Sequence, residues 1–106
     1  MQGRKHEFAI TGDGPFSDIE ALLQLSLFSI EGLFGAAAVR LAVSYQIDAD
    51  QRLITIDTNT VAGDATAKAF TSLLIRELGE RAFSVRRIDE IDDVDGWPPE
   101  EEIGVA

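Results

Sequence analysis

Val39-Arg40-Leu41-Ala42-Val43-Ser44-Tyr45-Gln46-Ile47 alternates apolar side chains with polar or small ones, and Arg52-Leu53-Ile54-Thr55-Ile56-Asp57 follows the polar tetrad Asp48-Ala49-Asp50-Gln51. A period of two buries one face and wets the other, so both stretches read as strands. The tetrad folds them back as a hairpin with a four-residue loop. Pairing Ile47 with Arg52 sets Tyr45 opposite Ile54 and Val43 opposite Ile56, with the large apolar side chains on one face. A slip of one residue would scatter them, so the pattern selects its own register.

Working outward, Lys5–Thr11 reads as a first strand with Phe8 and Ile10 on one face, ended by Gly12-Asp13-Gly14-Pro15. Ser17-Asp18-Ile19-Glu20 has the spacing of a capping box. A helix is expected from Asp18 to Leu33, closed by Gly32 and Gly35. Beyond the hairpin, Asn59, Thr60 and Asp64 are candidate caps of a second helix that ends near Leu78, before Gly79. Ala67, Phe70, Leu74 and Leu78 give it one apolar face, and Ala82–Ile88 reads as the last strand. Strand, helix, hairpin, helix, strand is the βαββαβ order of the ferredoxin-like α+β sandwich, a four-stranded antiparallel sheet with two helices on one face. Residues 1–88 form this domain and 89–106 an acidic, flexible or loosely docked C-terminal tail. The order sets a fold class and leaves the chemistry open, because many functions share this architecture.

The charge is unevenly spread. Of a formal net charge of -10, Asp89, Glu90, Asp92, Asp93, Asp95, Glu100, Glu101 and Glu102 supply eight negatives with no positive after Arg87, leaving 11 acidic against 9 basic side chains elsewhere. Contact with phosphate needs a positive surface, so direct nucleic-acid binding is not expected. The open sheet face (Glu7, Ala9, Thr11, Ala42, Ser44, Gln46, Leu53, Thr55 and Asp57) also has no aromatic platform for bases. Cysteine is absent, which excludes disulfides, thiolate metal sites and cysteine nucleophiles. The first seven residues lack the apolar run of a secretory signal, and residues 19–34 are broken by Glu20, Gln24 and Glu31 and too short for a bilayer. The reading is a soluble, cytoplasmic protein without membrane contact.

The first helix has more apolar surface than one core uses. At 100° per residue, Ile19, Leu22, Leu23, Ile30, Leu33 and Phe34 face the sheet. Ala21, Leu25, Phe28 and Gly32 form a second stripe on another side. Leaving Leu25 and Phe28 in water forgoes about 1.5–3 kcal/mol each, so a covering surface is expected: a second copy of the chain, another protein, or the tail through Trp97. The acidic tail residues Asp92, Asp93, Asp95, Glu100, Glu101 and Glu102 suit a basic partner.

No constellation places a nucleophile beside a base. His6 is the only histidine, and no serine sits in a Gly-x-Ser-x-Gly setting. Gly12-Asp13-Gly14 lies where a phosphate loop would, yet Asp13 would repel the anion and no arginine lies between Thr11 and Glu20. Asp93-Val94-Asp95-Gly96 resembles part of a calcium loop, but the frame that puts Gly96 at position six puts Ile91 at the first ligand position. No metal or cofactor is expected. The composite expectation is a non-enzymatic protein-protein interaction or assembly module, homodimeric through the first helix. The alternative is a small-ligand-binding or cofactor-free enzyme domain of the dimeric ferredoxin-like type, with Tyr45 and His6 in its pocket.

Overall fold

The computed structural model describes residues 2–91, and the acidic residues from Asp92 onward lie outside the described part. Strands β1 (Gln2–Ile10), β2 (Tyr45–Asp48), β3 (Leu53–Asp57) and β4 (Phe83–Ile91) form one antiparallel sheet in the order β2-β3-β1-β4. Three helices accompany it: α1 (Phe16–Phe34), α2 (Ala36–Ala42) and α3 (Val61–Leu78), with a single 3-10 turn at Glu80–Ala82.

The sheet buries one face. Phe8, Ile10, Ile54 and Ile56 are essentially inaccessible and share a core with Ile19, Leu23, Leu27 and Ile30 of α1 and Ala67, Phe70 and Leu74 of α3. Phe8 and Phe70 meet edge to face at 4.9 Å, an arrangement the ring quadrupoles favour. Ser26 and Thr66 are fully buried hydroxyls within this apolar layer. Each donates to the carbonyl one turn back, Leu22 O at 2.9 Å and Ala62 O at 2.8 Å, so neither is left unsatisfied.

The opening half of the hairpin's first expected strand is a helix. Residues 36–42 coil as α2, and the strand begins only at Tyr45. Three alanines precede Val39, and Arg40, Leu41 and Ala42 are good helix formers. Packing decides between the periods: Val39 is buried and Val43 half-buried at helical spacing, while Leu41, which a strand would place beside them, is 90% exposed. Ala42, expected on the open sheet face, therefore lies on α2.

The remaining hairpin closes with Asp48 opposite Leu53, so Tyr45 faces Ile56 and Ile47 faces Ile54. This register differs by two residues from the expected one. An even shift preserves the faces, as the side-chain period requires. Asp48 Oδ1 accepts from Gln51 N (3.1 Å), and Arg52 takes a positive φ of 57°, which places it in the turn rather than in the strand.

Helix ends differ at one terminus and agree at the others. α1 begins at Phe16 behind Pro15, with no side-chain cap, so Ser17 lies inside the first turn and the capping box is not formed. Proline's fixed φ already suits a helix entrance. Gly35, at φ 90° and ψ 149°, occupies a region essentially reserved for glycine and turns the chain by 119° from α1 into α2. Thr60 caps α3 by accepting from Gly63 N at 2.9 Å, and Gly79 follows its end. Leu33 and Phe34 do not face the sheet: they are 77% and 39% exposed, because the buried stripe of α1 ends at Ile30. β4 continues to Ile91, three residues past the alternation at Ile88, by pairing with the start of β1.

Candidate interaction groove

The surplus apolar surface on α1 borders a groove of about 640 Å³ between α1, α2 and the start of β2. Leu27 and Val39, both buried, form its floor, and Leu25, Phe28 and Tyr45 form its walls. Leu25 is 50% and Phe28 72% exposed, and Ala21 and Gly32 on the same stripe are also exposed. The α1–α2 bend creates the groove, because it swings α2 away from the line of α1 and leaves Val39 and Val43 to cover the core beside Leu27. Polar groups stand at the margin: Gln24 Nε2 donates to the Tyr45 hydroxyl at 3.5 Å, and Glu31 and Arg40 complete the lining.

His6 lies elsewhere. Its Nδ1 is 3.3 Å from Thr58 Oγ1, which itself donates to Arg4 O. Ile56 pairs with His6 on one side and Tyr45 on the other, so the two polar residues stand in one row, separated by two inter-strand spacings, or about 10 Å. The groove beside Tyr45 is not lined by His6.

The Gly12–Gly14 loop is organised by its carbonyls. Arg52 Nη2 donates to Gly12 O (2.7 Å) and Gly14 O (2.8 Å), Nε reaches Ile10 O (3.4 Å), and the guanidinium lies 5.6 Å from the centre of the Phe16 ring. A cation from the hairpin thus fastens the loop that enters α1. The alternation in the sequence assigns Arg52 to the strand, and no local motif announces a clamp formed 38–42 residues away.

Electrostatics concentrate at the far end of the β1–β4 pair. Asp89 takes Arg87 Nη2 at 3.0 Å and Arg4 Nε at 3.4 Å, and chiefly the Arg87 bond holds its carboxyl below the ordinary range. Arg86 pairs with Glu7 at 2.9 Å on the open face. Among the described residues no group of three or more His, Asp or Glu side chains could hold a metal ion. No single described helix is long and apolar enough to cross a membrane. The sequence matches no protein-family model and no curated protein.

Proposed function

We propose that this chain is a non-enzymatic protein-protein interaction or assembly module built on a ferredoxin-like sandwich, with the α1–α2 groove as its contact surface. The strand order supports that framework, with α2 as an addition between the first βα unit and the hairpin. One observation carries the functional reading: Leu25 and Phe28 stand exposed side by side over a groove with an apolar floor. Residues at i, i+3 or i+4 and i+7 flanking a groove suit an apolar helix of a partner protein. The acidic residues beyond Ile91 give the module a second means of engaging a partner with basic surface.

The alternative, a small-ligand or cofactor-free enzyme site, draws on Tyr45 in the groove wall. A protein occupant accounts for more, since Leu33, 77% exposed, lies beyond the groove lining and would stay uncovered with a small molecule in the groove. Photo-crosslinking in the native cell tests the reading. A photoreactive residue at position 28 should trap a discrete protein adduct, and the same residue at the exposed α3 position Ser72 should not. The trapped protein should then bind the purified chain at least about tenfold more weakly when Leu25→Glu is present, as expected for burying a charge in an apolar contact. Equal adducts from both positions, or unchanged affinity, would rule out the groove as the contact surface.

A further inference from the structure

The second edge of the sheet carries information that the groove does not. Thr58 N donates to Arg4 O and Ile10 N to Arg52 O, so even-numbered residues of β1 bond toward β3. Odd-numbered residues bond toward β4, as Thr11 N does to Ala82 O at the end of that ladder. Antiparallel pairing alternates strictly. Ser84, Arg86 and Ile88 are therefore committed to β1, while Phe83, Val85, Arg87, Asp89 and Ile91 direct N–H and C=O groups away from the sheet. The ladder runs through nine pairs without a bulge, and the strand contains no proline. Val85 is 40% exposed, and Ser84, Arg86, Arg87 and Asp89 are exposed, so no described element covers this edge. A long, regular, uncovered edge is a template for another strand.

Its sequence names the strand. Val85-Arg86-Arg87-Ile88-Asp89-Glu90-Ile91 has opposite charges at equal distances from Ile88: Arg87 against Asp89 and Arg86 against Glu90, with Val85 against Ile91 outside them. We propose that a second copy of this chain pairs with this edge, β4 antiparallel to β4, with the two-fold axis at Ile88. In that register Arg87 faces Asp89 of the second copy, Arg86 faces Glu90, and Ile88 faces its own counterpart. The backbone agrees, because each hydrogen-bonded pair then joins two odd-numbered residues, whose groups point away from β1. Registers that join odd to even residues fail this condition. Moving the axis to Arg86, Arg87, Asp89 or Glu90 sets a charge against itself, which is destabilising directly across a strand pair. Arg4, Arg86, Arg87 and Asp89 are exposed and Glu7 is half-buried, so these intrachain pairs stay open to a further partner on docking.

Pairing joins two four-stranded sheets into one and leaves β2, with the groove beside it, at each outer edge. The dimer would thus offer two grooves facing outward, and the interaction reading becomes bivalent. Self-association then belongs to β4 rather than to the α1 stripe.

Charge reversal on the full chain tests it by sedimentation, with circular dichroism as the check on folding. Wild type should be a dimer that weakens with added salt. R86E/R87E makes the strand acidic throughout and D89R/E90R makes it basic throughout. Each alone should dissociate, with Kd raised roughly 10- to 100-fold. An equimolar mixture of the two should form a one-to-one heterodimer, and the fourfold variant should recover the homodimer. Leu25→Glu should leave the dimer intact. A wild type that stays monomeric at the highest attainable concentration, folded reversal variants that keep the dimer mass, or dissociation by Leu25→Glu would each overturn the proposal. None of these results bears on the crosslinking from position 28, so the groove reading stands or falls separately.

Discussion

Two glycine-to-alanine substitutions should move stability in opposite directions, and the geometry says which is which. Alanine in a helix interior is ordinarily favoured over glycine by about 0.5–1 kcal/mol, because it restricts the unfolded chain. Gly32 of α1 has nothing within 4 Å of a prospective Cβ, so Gly32→Ala should realise that gain. Gly63 of α3 differs: a Cβ there would overlap the carbonyl oxygen of Asp57 and come within 2.9 Å of Thr60 Oγ1. Neither neighbour can give way cheaply. Asp57 is fixed in the sheet by its pairing with Lys5 and by the hydrogen bond its N–H donates to Ser44 O, and Thr60 Oγ1 accepts from the Gly63 amide while donating to Ala42 O. Overpacking costs about 1–3 kcal/mol and a strained cap about 1 more, so Gly63→Ala should lose about 1–3 kcal/mol after the propensity gain. The two variants should therefore differ by about 2–4 kcal/mol. Urea unfolding followed by far-ultraviolet circular dichroism measures this, with the slope on denaturant unchanged. A Gly63→Ala protein as stable as wild type would refute the claim that α3 is seated by contact between its first turn and the end of β3.

Arg52→Ala should cost about 1–2 kcal/mol, because Gly12 O and Gly14 O lose a charged donor at a half-exposed site, and amide exchange over residues 12–14 should quicken. Arg52→Lys should recover little of this, since one ammonium cannot reproduce the planar fork, and full recovery would remove the clamp from the account. Asp89 supplies a pH dependence. Its folded carboxyl lies below the usual value of 3.8, so its contribution is present above that value and is lost as pH falls through the folded one. Asp89→Asn should then lower the urea midpoint slightly at neutral pH and leave it unchanged in acid; an equal difference at both would exclude the ion pair as its cause.

Much of the architecture was legible because two periods were strong and consistent. Phe8 with Ile10 and Ile54 with Ile56 identify strands at period two, and Ala67, Phe70 and Leu74 identify a helix, with Thr60 and Gly79 at its ends. Residues 36–44 were not legible in the same way. Val39, Leu41 and Val43 satisfy a strand, while Val39 and Val43 alone satisfy a helix, and the choice depends on whether Leu41 is buried. That is a tertiary matter, settled here by the turn at Gly35, after which an alanine run can start a new helix. The capping box failed for a related reason: Ser17 and Glu20 had the right spacing, but Pro15 opened the helix two residues sooner.

The candidate surfaces divide along the same line. Leu25 and Phe28 could be read as surplus apolar surface from α1 alone, since a helix face is a local property, whereas the groove they border required α2 and so could not be anticipated. Arg52 illustrates the opposite limit, a residue whose partners are remote in sequence and whose role depends on a turn conformation. The β4 edge lies between these cases. Its charge pattern is present in seven consecutive residues, but opposite charges around Ile88 acquire meaning only once the strand is known to be an edge of the described sheet and its odd-numbered backbone groups are known to point away from β1. The same letters in a central strand would describe intrachain pairs. Topology thus converts a charge pattern into a statement about a neighbour, and it does so without any homologous sequence, because the symmetry of an antiparallel pair requires that such a pattern be its own complement.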